Sequence, residues 1–403
     1  MSEKKQYKAF NAFIFAGSFS IGVMDAGFDL RGVLEITDDM IEKNAYYFHK
    51  NYPHIPVVPP SKWDNEKFML ALQKANIDLM CCNCPCSSLS QINRNASVEG
   101  KNNVHFYRLF NIFKQSQPKV FVIENAPTLI KLGFPILKDM VNELKDIYTF
   151  TIIKDQAGNH NVPMQRARTL VVGWRKDYFK QHPIVNADPQ PKMTIGDTLK
   201  DIINDTTDDC KSKQFDCLSS LYKYVKNKQA TVTGIASAYL EGDEKTKVAI
   251  LTVVSKTKQL QAFKRIVQKI RDGKSFFDKS PYREGVDGRF QSFSSVQEYL
   301  HPTQNRTLNM KELQRIMTYP DSFDFTGTCK IPVRQAMAQG VPVNFGKYIA
   351  TQAKLGLDGA LPTIDADVVF QDNTKKKYDV YSYDSFIKLD GLEISKDGVS
   401  ING

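Results

Sequence analysis

The sequence predicts an α/β protein built on a doubly wound, mostly parallel sheet, with a second lobe that is smaller and irregular. Three observations predict it. Short apolar runs alternate with amphipathic helical segments as far as Trp174, the pattern of strands covered on both faces by crossover helices. A glycine turn, Phe15-Ala16-Gly17-Ser18-Phe19, joins the first apolar run to the first helix, where backbone N–H groups can approach a ligand. Beyond Trp174 the alternation stops, and Asp188-Pro189-Gln190-Pro191 marks a linker.

Taken in order, Phe10 to Gly17 reads as the first strand and Ile21 to Gly27 as the helix after it. Leu30 to Glu35 is a second strand that ends on a carboxylate, about 20 residues past the glycine turn, where nucleoside-binding α/β folds place a ribose acceptor. A solvated strand end is the plainer reading of Glu35. A helix around Met40 to His49 leads through Pro53 to Pro60 to a helix at Glu66 to Lys74. The strand starting at Ile77 follows, then a helix at Lys101 to Lys114, a strand at Lys119 to Ile123, a helix at Ile130 to Lys145, and strands at Thr149 to Ile153 and Thr169 to Trp174. The irregular region contains strand-like Ala230 to Tyr239 and Val248 to Ser255. Leu260, Phe263, Ile266, Val267 and Ile270 then form one stripe of a helix closed by Gly273. From Lys245 to Lys279 there are ten Lys or Arg against two Asp, read either as a solvated helix face or as a surface that tracks phosphates. Thr307 to Met317 returns to helix, Gln339 to Val343 is a turn, and Asn344 to Leu355 is a helix that packs back on the first lobe. Leu361 to Gly403, with eight acids against five lysines, reads as an appended β element without a legible purpose.

Composition narrows the class. With 403 residues, 42% apolar and 24% charged, the chain is an ordinary soluble globular protein with room for a large core and a smaller lobe. A net charge of +10 favours a polyanionic partner. Seven cysteines, clustered and without framework spacing, fit a reducing compartment such as the cytoplasm. Lys4, Lys5 and Lys8 ahead of Ala9 to Ala16 imitate a secretory signal, but cleavage after Ser18 would discard a strand and the glycine turn. No run reaches the ~18 to 20 apolar residues of a membrane span.

The chain is organised around Ile77 to Leu89, which reads as a buried strand delivering Cys86 to the carboxyl edge of the sheet. Cys81, Cys82 and Cys84 read as small strand hydrophobes. A metal site lacks a second Cys-x-x-Cys or a His-x-x-x-His to complete it. Cys86 differs, because Pro85 fixes the backbone direction as the strand ends and Ser87, Ser88 and Ser90 follow in a loop. The segment alone leaves nucleophile and strand residue both open. Glu124, in Val122-Ile123-Glu124-Asn125, would emerge at the same edge, as an acid or as a structural acceptor. Alternation sends Arg166 and Arg168, at the entry to the strand Thr169 to Val172, to one face, for function or for a salt bridge.

In this order Phe15-Ala16-Gly17, Pro85-Cys86, Glu124-Asn125, Gln165-Arg166-Ala167-Arg168, Lys311-Glu312-Leu313-Gln314-Arg315 with Tyr319-Pro320-Asp321, and Gly340-Val341-Pro342-Val343 resemble the motif series of the DNA cytosine-5 methyltransferases. The resemblance covers roughly residues 10 to 355. It implies a Rossmann-like methyltransferase fold, with a catalytic and cofactor-binding domain over 1–175 completed by 335–360. Target recognition falls to 176–334, and 361–403 is an extension. It implies Cys86 as the nucleophile at cytosine C6, Glu124 as the partner of N3, Arg168 as a donor to O2, and Arg166 holding the loop or base. Such a thiolate is both a good nucleophile and a good leaving group, and a base stacked in a duplex must be flipped out to reach it.

The donor implied is S-adenosyl-L-methionine, held by Phe15, Ala16, Gly17, Ser18, Phe19, Glu35, Asp64, Pro85, Gln339 and Val341. Double-stranded DNA is the implied partner and a monomer the implied state. The donor side departs from the family. Phe19-Ser20 stands where a second pair of glycines is usual, Phe13 where an acid is common, and Ala338-Gln339 where Gly-Asn is expected. Met164 and Ser87 replace glutamines beside the Arg pair and Cys86. A bulky Phe19 in the turn would weaken donor binding, reshape it or admit a modified donor. Two other functions stay open on the sequence: a sequence-specific DNA-binding protein that has lost its donor, and the same chemistry on tRNA.

Overall fold

A computed structural model of the chain describes residues 6–35, 45–62, 65–89, 96–187, 189–191, 193, 195–202, 239–240, 243–255, 260–271, 290–291, 309–327, 337 and 339–401. Strand β1 (Lys8–Ala12) leads to α1 (Ser18–Asp25), β2 (Asp29–Leu34), α2 (Tyr46–Asn51), β3 (Val57–Val58), α3 (Glu66–Ala75) and β4 (Leu79–Asn83). Next come α4 (Val104–Ser116), β5 (Val120–Asn125), α5 (Phe134–Leu144), β6 (Tyr148–Gln156), β7 (Met164–Gln165), β8 (Ala167–Arg175), β9 (His182–Pro183) and α6 (Ile195–Leu199). They are followed by α7 (Glu244–Val254), α8 (Leu260–Arg271), β10 (Phe290–Gln291), α9 (Met310–Ile316) and α10 (Val343–Leu357). The chain ends with β11 (Thr363–Ile364), β12 (Val368–Asp372), β13 (Lys377–Tyr381), α11 (Tyr383–Ile387) and β14 (Val399–Ser400).

Ten of these strands form one sheet in the order β14-β13-β12-β6-β8-β5-β4-β1-β2-β3. The half around β1 is parallel: β1 pairs with β2 and β4, β2 with β3, and β4 with β5. Strand β8 inserts antiparallel between β5 and β6. Its amino end therefore lies at the carboxyl ends of both neighbours, which decides where Arg168 goes.

Alternation within the strands feeds two cores. Leu79 and Cys81 of β4 join Phe19, Val23, Phe345 and Ile349 on the α1 and α10 face. Met80 and Cys82 join Leu72, Phe110, Phe113 and Met140 on the α3, α4 and α5 face. Both faces are buried, so the strands read as continuous apolar runs rather than as alternating ones. Local signals set the helix ends: Asn65 Oδ1 accepts from Phe68 N–H at 3.0 Å to start α3, and Asn309 and Glu312 form a capping box on α9.

Two sequence expectations change, and two others fall largely or partly outside the described residues. Strand β1 stops at Ala12 instead of reaching Gly17, because Phe13 and Phe15 take φ of 59° and 49°, outside the β region. The segment from Val248 to Ser255 is the second half of helix α7, not a strand. Ile250 and Val254, one turn apart, are buried while Val248 and Leu251 are exposed, so a helical burial period overrides the β-branched composition. Of the strand expected over 230–239 only Tyr239 is described, in a helical conformation. The helix expected from Met40 is described from Ala45 onward.

The segment after Leu361 joins the main sheet. β12 pairs in parallel with β6, β13 pairs antiparallel with β12, and β14 with β13. Among the described residues no helix is long and apolar enough to cross a membrane.

Candidate active site

The chain leaves β4 at Asn83 and turns through Cys84, Pro85 and Cys86. Asn125, fully buried at the end of the neighbouring β5, holds this turn: its Nδ2 donates to the Cys84 carbonyl at 3.0 Å, while its Oδ1 accepts from Ala126 N–H at 2.8 Å. Leu89 N–H then donates to the Cys86 carbonyl at 3.0 Å and closes the turn. Cys86 is half-buried, whereas Cys81, Cys82 and Cys84 are buried. Desolvation pushes those three thiols well up, which keeps them protonated at neutral pH. Among the described residues no group of three or more His, Cys, Asp or Glu could hold a metal ion.

Glu124, next to last in β5, is 3% exposed and lies directly across from Asn83 in the β4–β5 register. Arg168 Nε approaches Glu124 Oε1 to 2.5 Å. With the Asn83 amide oriented to satisfy its neighbours, its Nδ2 donates to Glu124 Oε2 at 2.8 Å and its Oδ1 accepts from Val341 N–H at 3.3 Å. Arg166 is buried, and its carbonyl accepts from Ala157 N–H at 2.9 Å, tying the loop after β6 to the start of β8. The ion pair of Arg168 with Glu124 is what the salt-bridge reading expects. Asn83 was not legible as a site residue. Its only signal was one amide in an otherwise apolar run.

On the other side of β1, helix α1 starts at Gly17, with φ of 86° and no side-chain cap, so its first N–H groups are free of intrahelical partners. A Cβ at Gly17 would collide with the Phe48 ring, and one at Gly340 with Ser18 Oγ. These contacts pack the glycine turn, α2 and the loop before α10 together. Glu35 is fully buried, and its Oε1 accepts from Phe15 N–H at 2.8 Å, which removes the solvated reading. Ala16, Ser18 and Val341 are buried, Pro85 and Gln339 half-buried, and Gln339 Oε1 has no donor among the described residues. Asp64 lies outside the described residues.

Phe19 packs between two helices. It belongs to the first turn of α1, is 3% exposed, and turns its ring to α10, where a Cβ on Gly346 would come within 3.0 Å of it. Its bulk is absorbed by a glycine on the partner helix. Phe13 is also buried and meets His105 edge-on at 5.7 Å.

Comparison with known proteins identifies the family. The profile of the C-5 cytosine-specific DNA methylase family matches residues 7–355. The chain belongs to that family. As a member it is a DNA cytosine-5 methyltransferase, and its fold is the family's methyltransferase fold. It is 25% identical over 340 residues to the type II methyltransferase M.XorII of Xanthomonas oryzae pv. oryzae, covering 78% of this chain and 77% of that protein. It is 24% identical over 369 residues to the type II methyltransferase M.Sau96I of Staphylococcus aureus, covering 86% and 75%. Its fold matches a prophage-encoded E. coli protein described as a DNA modification methyltransferase, with a TM-score of 0.59, 17% identity, and coverage of 88% and 100%.

In this methylase the segment Lys311 to Asp321 is a brace. Arg315 Nε and Nη2 fork onto Asp321 at 2.9 and 2.6 Å, and Nη1 pairs with Asp201. Gln314 Nε2 donates to the carbonyls of Pro320 and Phe323. The brace presents the buried Tyr319 hydroxyl to Ser18 at the start of α1, and burial pushes that phenol well up, so it stays protonated.

Proposed function

We propose that this methylase methylates carbon 5 of a cytosine flipped out of duplex DNA, with Cys86 as the covalent nucleophile. The observation that carries the reading is the meeting of a half-buried thiol turn, a buried carboxylate and a guanidinium at one sheet edge, beside a glycine turn that opens α1. Cytosine C5 is a poor nucleophile until a thiolate adds at C6. The Cys86 S–C6 bond then forms, and the C5–C6 π pair moves to C5. Glu124 sits beside N3 and shares a proton with it as charge enters the ring. Arg168 donates to O2. Arg166 and Asn125 fix the two loops that carry Arg168 and Cys86. After methylation the C5 proton leaves to a base, the S–C6 bond breaks, and the double bond returns.

The residues present fit S-adenosylmethionine as the donor. Glu35, buried and anchored to Phe15 N–H, suits the ribose hydroxyls. The uncapped start of α1 suits the amino-acid end, and Gly340 against Ser18 keeps the facing loop close, with Gln339 and Val341 in it. Bound there, the donor supplies an electrophilic methyl group. Duplex DNA as substrate is supported by the net charge of +10 and by helix α8, where Phe263 and Val267 are buried while Gln261, Lys264, Gln268 and Arg271 are exposed. Such a face can track phosphates.

The test is incubation with radiolabelled S-adenosylmethionine and mixed-sequence duplex DNA, followed by digestion to nucleosides. Label on 5-methylcytosine, lost in Cys86→Ser, is expected. Label absent from cytosine, with wild type and variant alike, would overturn the proposal.

A further inference from the structure

We infer that Asn83 is a positioning residue that couples the two substrates, holding Glu124 from one side and the donor loop at Val341 from the other. The inference rests on the roles proposed above for Glu124 and for the loop containing Val341.

A primary amide at the end of an apolar strand is costly to bury unless both ends are used. Asn83 is 4% exposed, and both ends are used. Its Nδ2 donates to Glu124 Oε2 at 2.8 Å, and its Oδ1 accepts from Val341 N–H at 3.3 Å. The two partners belong to different halves of the site. Glu124 stands across from Asn83 on the neighbouring strand, in contact with Arg168. Val341 follows Gly340, which is pressed against Ser18 at the start of α1. A shift of the Gly340–Val341 loop on donor binding therefore reaches the carboxylate through one side chain, without passing through the backbone of either strand.

The same bond fixes the carboxylate among its neighbours. Glu124 is faced by Arg168 from β8, by the Asn83 amide from β4, and by the thiol of Cys84, which lies within electrostatic range of Glu124 and Cys86. Asn83 therefore holds the carboxylate in place for the proton it shares with N3.

Two variants of the full chain test this. Asn83→Ala removes both bonds. Calorimetric titration of mixed-sequence duplex DNA, with and without S-adenosylhomocysteine, measures how far one ligand strengthens the other. That coupling is expected to fall at least about 3-fold, and kcat about 10- to 100-fold. Asn83→Asp keeps the shape and the acceptor for Val341 but sets a carboxylate against Glu124, and the two must share a proton. Its activity is expected to recover as pH falls, moving the optimum to the acid side by about one unit. An amide that served stability alone would lower the melting temperature and leave both readouts unmoved. Unchanged coupling in Asn83→Ala, together with an Asn83→Asp pH profile that superimposes on wild type after scaling, would overturn the inference. The coupling measurement needs no turnover, so a wild type that leaves cytosine unlabelled sinks the proposed reaction separately.

Discussion

Arg168 Nε and Glu124 Oε1 stand 2.5 Å apart, with side chains only 12% and 4% exposed. The contact follows from topology: β8 runs antiparallel to β5, so the first residues of one strand meet the last of the other. Arg168→Ala leaves a buried carboxylate without its cation, and a loss of ~3 to 5 kcal/mol is expected in urea denaturation. Methylation is expected to drop at least about 100-fold. Adding Glu124→Gln to that variant should restore part of the stability and none of the activity.

The four cysteines at the end of β4 should separate cleanly in alkylation. Burial raises the thiols of Cys81, Cys82 and Cys84, so at pH 8 they remain protonated and enclosed, while Cys86 is half-buried in a turn. Iodoacetamide treatment followed by peptide mapping is expected to place the adduct on Cys86 and to abolish methylation in step. Modification of Cys84 at the same rate would show that the turn does not hold the geometry described.

Phe19 and Gly346 should behave as a pair in packing and not as donor ligands. The Phe19→Ala variant empties the space between α1 and α10, and a loss of ~3 to 5 kcal/mol is expected, with the KM for S-adenosylmethionine within about 3-fold of wild type. A Gly346→Val substitution crowds the same contact, at ~1 to 3 kcal/mol. A tenfold change in KM from Phe19→Ala without loss of stability would return the ring to the donor site.

The parallel half of the sheet was legible because strands buried on both faces and crossover helices leave strong patterns, and Leu79 to Asn83 and Val120 to Asn125 show them. Cys86, Glu124 and Arg168 were legible through motif order. The shared edge of Cys86 and Glu124 was expected from the strands, but the ion pair of Arg168 with Glu124 was not, since it depends on β8 running antiparallel, and strand direction leaves no mark in composition. Phe13 and Phe15 ended β1 early by adopting positive φ, which no propensity for Phe announces. The segment at Val248 was misread because β-branched residues suit strands until a buried turn partner, here Ile250 with Val254, fixes the helix. The orientation of Phe19 depended on a glycine more than three hundred residues away.

His182 gives the stability a pH dependence with a definite sign. Its ring nitrogens lie 2.8 Å from the hydroxyls of Thr149 and Thr151, and burial lowers its pKa from 6.5 to about 3. The unfolded chain then binds a proton below pH 6.5 that the folded one refuses until about pH 3. The fold is unaffected by this residue above pH 6.5 and loses up to about 1.4 kcal/mol per pH unit as the pH falls through that window. Urea midpoints at pH 7, 6 and 5 should decline less steeply in His182→Gln than in wild type. Equal slopes would mean that the ring is protonated in the folded state.

The appended strands should matter to the site as well as to the sheet. Asn373, in the turn between β12 and β13, donates to Asp155 Oδ2 at 2.6 Å and to the Tyr348 hydroxyl oxygen at 3.2 Å. His160 Nε2 lies 3.0 Å from the same carboxylate oxygen, with its ring stacked 3.6 Å from that of Tyr348. Asp155 is fully buried and stands across from Arg168 in the β6–β8 register. The family match ends at residue 355, so a residue beyond it completes a buried polar cluster beside the strand that carries Arg168. Asn373→Leu removes a donor from an enclosed carboxylate, and a loss of ~1 to 3 kcal/mol is expected, with kcat falling more than the KM for DNA because Arg168 is misplaced and not removed. Deleting 361–403 should go further, since it bares the edge of β6 along Phe150 to Lys154 and invites aggregation. A truncated chain that stays monodisperse, melts with the full-length protein and methylates at its rate would make these strands an ornament.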